Sequence, residues 1–129
     1  DDYNIPDTGY GAAIRFPGFV DQTDLPAIYS AARFYLYPSN VEAFPIPLTE
    51  AMTCGTPIIT SNVNGLKEIA GEAALFVDPG SVEDIAEAMC RLDNDPELRD
   101  NLSQAGLQRS RIFSWEKCAR ETLELLEHV

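Results

Sequence analysis

Two periods alternate along this chain. Short apolar runs read as strands: Arg33-Phe34-Tyr35-Leu36-Tyr37, Pro57-Ile58-Ile59-Thr60-Ser61 and Ala73-Ala74-Leu75-Phe76-Val77, closed respectively by Pro38, by an Asn-Gly turn at Asn62-Val63-Asn64-Gly65, and by Asp78-Pro79-Gly80. A fourth run, Ala13-Ile14-Arg15-Phe16 with Gly18-Phe19-Val20, is broken by Pro17 and reads as an edge strand or a strand end. Helical spacing fills the intervals. One helix is predicted over 25–32, capped by Thr23 or Asp24 and burying Leu25, Ile28 and Tyr29. A second covers 48–54, with Gly55 as its left-handed stop, and one or two turns cover 66–70.

After residue 80 the period is helical throughout. Ser81-Val82-Glu83-Asp84 resembles a capping box, and Val82, Ile85, Ala86, Met89 and Leu92 are predicted to share an inward face. Asp95-Pro96 starts another helix that turns Leu98, Leu102 and Ala105 inward and fades near Ile112. Ser114 caps the last, with Trp115, Ala119, Leu123 and Leu126 as its buried stripe and Trp115 as a core anchor. Strands alternating with helices imply an α/β fold with a parallel sheet of about four strands and helical crossovers. A length of 129 residues fits one domain: a loop or arm over 1–13, an α/β region over 14–80 and C-terminal helices over 81–129. The opening Asp1-Asp2-Tyr3 is not a natural start, so a processed or excised piece is expected.

Charge narrows the function classes. Nine Lys and Arg against 21 Asp and Glu give a net charge of −12, which argues against nucleic acid and against docking on anionic lipid. No run reaches the roughly 20 apolar residues of a membrane span. Cys54, Cys90 and Cys118 are odd in number and lack metal or redox spacing, so they are expected to be reduced and mostly buried, in a cytoplasmic protein. The lone histidine, His128, excludes a His-based triad or a His-rich zinc site within the chain. No cofactor is called for. Arg109, Arg111, Lys117 and Arg120 are expected to pair with nearby acids, and Arg15 is not placed to clamp a phosphate.

The chemistry concentrates between a strand end and a helix start, in the stretch from Pro38 to Met52. That is the usual ligand position in an open α/β sheet. The N–H groups of Leu48, Thr49 and Glu50 are expected to lack helical partners, so that an oxyanion could take them. Glu50, in the predicted first turn, and Glu42, across the loop, can each accept hydrogen bonds from vicinal hydroxyls. A ligand with a phosphate at its centre and hydroxyl-rich groups on both sides fits, as a nucleotide-sugar does. The alternatives are a dipole-stabilised acid beside a solvated loop charge, or two carboxylates on a divalent cation. Tyr35 and Tyr37 are expected on opposite sheet faces, Ser39 as a stiffener of its turn, and Glu68 on the surface.

Glu42 and Glu50, with seven residues between them, precede Ala51-Met52 and Cys54-Gly55-Thr56-Pro57. In order around them stand Gly18-Phe19-Val20, Leu25-Pro26, Tyr29, Tyr37-Pro38-Ser39, Gly65-Leu66, Glu68, Val77-Asp78-Pro79 and Phe113-Ser114-Trp115. This set resembles the retaining glycosyltransferases of the group 1 family, over about residues 14–127. The resemblance implies a Rossmann-like part of the C-terminal domain of a two-domain GT-B fold. It implies glycosyl transfer from a UDP-, GDP- or ADP-linked sugar with retention. Glu42, the catalytic candidate, would face the donor sugar with Ala43, Phe44 and Pro45. Ile46 and Leu48 would line the diphosphate, and Glu50 would hold the ribose.

Two positions depart from the family pattern. Ala43 and Pro45 stand where it has glycines, and Pro45 removes an N–H. The family's glycine-rich first strands, its basic phosphate clamp and its acceptor-binding N-terminal domain have no counterpart here. In the complete domain the missing strands lie between the strand near 14–20 and the one near 34–37. The isolated chain is therefore expected to be inactive, with the N-terminal domain as its missing partner. The competing reading is a non-catalytic α/β module, natural or designed, that self-associates through its sheet edge.

Overall fold

The computed structural model describes residues 14–128; the arm expected over 1–13 lies outside the described residues. The elements run α1 (Leu25–Ala31), β1 (Tyr35–Tyr37), α2 (Ile46–Thr53), β2 (Ile58–Ser61), α3 (Asn64–Ala70), β3 (Ala74–Val77), α4 (Val82–Asn94), α5 (Pro96–Ser110) and α6 (Trp115–Glu127). The described sheet has three strands in the order β1-β2-β3, all parallel. Tyr35 is level with Ile58 and Ala74, and Tyr37 with Thr60 and Phe76. Each strand reaches the next through a helix, as parallel pairing requires.

The fourth strand expected near 14–20 does not form. Pro17 has no N–H to give a ladder, Gly18 turns left-handed at φ 69°, and every residue from 14 to 19 is exposed.

Period-two alternation divides the core between the sheet faces. Ile58 and Ala74 join Leu48, Ala51, Met52, Leu66 and Ile69 on the α2/α3 side. Ile59 and Val77 join Ala88, Leu92 and Leu102 on the α4/α5 side. All four β2 residues are buried, as a central parallel strand covered on both faces should be. Tyr35 and Tyr37, two residues apart, therefore share the α2 face and stack at 5.9 Å, contrary to the expectation of opposite faces.

The helix boundaries follow local chemistry. Ser81 Oγ accepts from Asp84 N (3.1 Å), Asp95 Oδ1 from Leu98 N (2.9 Å) and Ser114 Oγ from Lys117 N (3.0 Å). Gly55 stops α2 at φ 71°. The burial differs from the periodic reading at three helices. α1 buries no residue fully and Ile28 is exposed. In α4 the inward residues are Ile85, Ala88 and Leu92, while Val82, Ala86 and Met89 face out. In α6 no residue is buried, and Trp115 is 78% exposed, not a core anchor. An amphipathic period sets which face prefers cover; it does not supply the cover.

Other expectations are also revised, except the pairing of Lys117 with a nearby acid. Cys90 and Cys118 are exposed and Cys54 half-buried, all free thiols. Lys117 pairs with Glu121 at 3.9 Å. Arg109 takes no acid: its guanidinium donates to the Ile69 carbonyl at 2.9 Å and to that of Glu68, beside the Phe113 ring. No described helix is long and apolar enough to cross a membrane.

Candidate functional site

The loop after β1 is anchored at both ends. Tyr37, the last residue of β1, donates its phenol proton to Glu42 Oε1, folding the loop back onto its own strand. The Ser39 hydroxyl lies 3.1 Å from the Val41 carbonyl and 3.3 Å from Glu42 Oε1, so its one proton stiffens the same turn. Across the loop, Gly65 at the start of α3 comes against the Glu42 carbonyl. A Cβ there would sit inside the 3.0 Å below which real Cβ atoms essentially never come. The glycine is required by close approach to a backbone oxygen, not by its own dihedral. Ala43 has no positive φ, so its methyl is not strained where the family pattern has glycine.

The helix start differs from the expectation. α2 begins at Ile46, with Pro45 as its extended N-cap. Leu48 N and Thr49 N both reach the Pro45 carbonyl (3.1 and 3.3 Å), so neither is a free donor. Pro45 and Pro47 have no N–H at all. Among the described residues, the Ile46 N–H is the first-turn donor left without an acceptor. Because the helix starts earlier than predicted, Glu50 falls in its second turn, and no acid lies in the first.

The candidate residues divide by exposure. Ala43, Phe44 and Ile46 are exposed, and Glu42 and Glu50 are half-buried. Pro45 and Leu48 are both fully buried, Leu48 in the α2/α3 core. Phe44 stands edge-on to Phe113 at 5.8 Å, which ties the loop to the connection between α5 and α6.

Both acids are held by tyrosines, Glu42 from β1 and Glu50 from α1. Tyr29 Oη donates to Glu50 Oε2 at 3.2 Å. Tyr29 meets Tyr35 edge-on at 5.4 Å, and Tyr35 stacks on Tyr37. The hydrogen bond to Glu42, then burial, pushes the Tyr37 phenol up to about 12. Burial first, then the neighbouring Tyr35 and Glu50, raises that of Tyr29 further. Burial likewise raises Tyr35. All three phenols are therefore protonated donors at neutral pH. Sequence reasoning missed this row; the signal was Tyr29, Tyr35 and Tyr37 in the two elements preceding the loop.

No Lys or Arg among the described residues pairs with Glu42 or Glu50, and no cluster of described His, Cys, Asp or Glu could hold a metal ion. The arrangement offers two carboxylates as hydroxyl acceptors, one backbone N–H and an exposed aromatic ring.

The family model "Glycosyl transferases group 1" matches residues 3–109. The chain is 41% identical over 110 residues to O-antigen chain mannosyltransferase B of Escherichia coli, covering 85% of this chain and 29% of that protein. It is 35% identical over 119 residues to a D-inositol 3-phosphate glycosyltransferase of a Nocardioides species, covering 91% of this chain and 26% of that protein. Among solved structures, sucrose-phosphate synthase from Thermosynechococcus elongatus superposes with a TM-score of 0.86 at 34% identity, over 93% of this chain and 31% of that one. The chain thus spans under a third of the length of each of these three proteins.

Proposed function

The chain belongs to the group 1 glycosyltransferases, and its parallel sheet is part of a GT-B fold; on that premise we propose that residues 41–50 form one side of a nucleotide-sugar site. Glu42, the catalytic candidate, meets the transferring sugar, with Ala43, Phe44 and the backbone at Pro45 alongside. Glu50 accepts from the ribose hydroxyls. The diphosphate lies over the start of α2, where Ile46 offers its N–H and Leu48 contributes by setting the helix rather than by contact.

In retaining transfer the bond from the anomeric carbon to the diphosphate oxygen breaks. A bond from that carbon to the acceptor hydroxyl oxygen forms on the same face, and the acceptor's proton leaves with the departing diphosphate. A carboxylate beside the sugar favours the positive charge that develops there. The observation that carries this reading is the pair of half-buried acids flanking one helix start, each held by a phenol and neither paired with a base among the described residues.

Titration of UDP-, GDP- and ADP-linked sugars against the chain and its Glu50→Ala variant, followed by NMR, tests it. Shifts confined to 41–50 and lost in the variant support the donor site; a flat response to all three donors contradicts it. The charge clamp and acceptor side belong to parts of the enzyme beyond this segment, so we expect no turnover from the 129 residues alone.

One observation favours a second reading, self-association: β1 ends the described strand order with its outer edge unpaired. Light scattering that finds a monomer at high concentration counts against it.

A further inference from the structure

Tyrosine rings pack into the α2 side of the core at 29, 35 and 37, where each is partly buried. Ring packing needs no hydroxyl; phenylalanine would fill the same space. Yet the two outer phenols each end on a carboxylate, Tyr37 on Glu42 and Tyr29 on Glu50. Each bond uses one oxygen, so Glu42 Oε2 and Glu50 Oε1 stay available to a ligand.

The row is pinned at both ends by hydroxyls that are themselves buried. Thr60 Oγ1 donates to the Tyr37 carbonyl at 2.9 Å, and Thr56 Oγ1 to the Tyr29 carbonyl at 2.7 Å. Thr60 is 0% and Thr56 2% exposed. Tyr29 sits on a helix with no fully buried residue, so this grip and its edge-on contact with Tyr35 add to its partial packing against the core.

We propose that Tyr29, Tyr35 and Tyr37 are one positioning element for the donor site: Tyr37 orients Glu42, Tyr29 orients Glu50, and Tyr35 fixes the spacing between them. The proposal rests on the nucleotide-sugar reading above. Its distinctive consequence is a split. An acid at the transferring sugar governs the chemical step, while an acid at the ribose governs affinity for the nucleotide.

The test uses the full-length enzyme carrying this segment, with Tyr37→Phe, Tyr29→Phe, Tyr35→Ala and Tyr35→Phe. Three quantities are measured: donor kcat, donor KM and the affinity for nucleoside diphosphate without sugar. Thermal melting confirms that each variant folds. Tyr37→Phe is expected to lower kcat by about tenfold or more, the scale of one hydrogen bond to a charged group, with little change in nucleoside diphosphate affinity. Tyr29→Phe is expected to weaken that affinity and raise KM by about the same factor with kcat nearly kept. Tyr35→Ala lowers kcat and weakens nucleoside diphosphate affinity together, and Tyr35→Phe, which keeps the ring, recovers most of the loss.

Equal effects of Tyr37→Phe and Tyr29→Phe on the same quantity, or no effect of either in an active wild type, overturn the positioning role alone. A wild type that neither binds nucleoside diphosphate nor transfers sugar overturns the donor-site reading itself, and this proposal with it.

Discussion

Residues around β2 and residues of α6 carry equally clear hydrophobic patterns and reach opposite ends. All four β2 residues are buried, and Leu48, Met52 and Leu66 beside them are fully so. Along α6 the apolar stripe is just as regular, yet Leu123 is 55%, Leu126 68% and Trp115 78% exposed. The difference lies in the neighbours. β2 has a strand on each edge and helices over each face, whereas α6 has no buried residue at all. Periodicity reports which face should be covered, and burial energy follows only where a partner covers it.

The contrast can be broken most directly with matched leucine truncations. Leu48→Ala should lose about 2–5 kcal/mol in urea unfolding, since it deletes a fully buried side chain and leaves a cavity. Leu123→Ala should lose less than about 0.5 kcal/mol, the range of a surface change. Comparable losses from the two would mean that α6 is packed in solution.

Gly65→Ala probes how tightly the loop is held to the core. Its new methyl would meet the Glu42 carbonyl, a backbone atom that cannot rotate aside. Overpacking of this kind costs about 1–3 kcal/mol. The better helix propensity of alanine, worth roughly 1 kcal/mol, offsets only part of it. Unfolding free energy measures the net, and a stabilised variant would show that the loop yields freely.

Caps sharpen the comparison at smaller scale. Ser81→Ala and Asp95→Ala each remove a side-chain cap from a helix that reaches the core, and should cost about 1 kcal/mol. Ser114→Ala removes an equivalent bond from α6, and should lower helicity by circular dichroism with little effect on the global midpoint.

The smallest effect is a pH dependence. Tyr37 titrates near 10 when unfolded and is pushed up to about 12 when folded. A folded value above the unfolded one means that its stabilisation is complete below pH 10 and disappears as pH rises through about 12. The stability advantage of wild type over Tyr37→Phe should shrink across that window. An advantage that is constant with pH would mean the phenol is not bonded to Glu42.

Much of this is legible in the sequence. The three strands, the parallel order and the caps at Ser81, Asp95 and Ser114 follow from period, punctuation and side-chain oxygens. The strand expected near 14–20 is absent: an apolar run with Pro17 and Gly18 resembles a strand end, whereas pairing depends on a neighbour that local sequence cannot specify. The helix starts earlier than its period predicts, since two prolines leave open which carbonyl accepts. Pro45, extended and donor-free, proved to be the cap, and this took the Leu48 and Thr49 donors away. The positions of Glu42 and Glu50 in the sequence were plain. Their hydrogen bonds to Tyr37 and Tyr29 were not, because Tyr29 and Glu50 are 21 residues apart and meet only when α1 and α2 fold onto the same side of β1.

The central claim is that the two acids serve different parts of one donor. Calorimetric titration of the full-length enzyme with nucleoside diphosphate, sugar absent, separates them in wild type, Glu50→Ala and Glu42→Ala. The account predicts that Glu50→Ala weakens binding by about tenfold or more, the loss of a charge-assisted hydrogen bond, and that Glu42→Ala weakens it far less. Equal affinities in all three proteins, or a larger loss from Glu42→Ala, would contradict it.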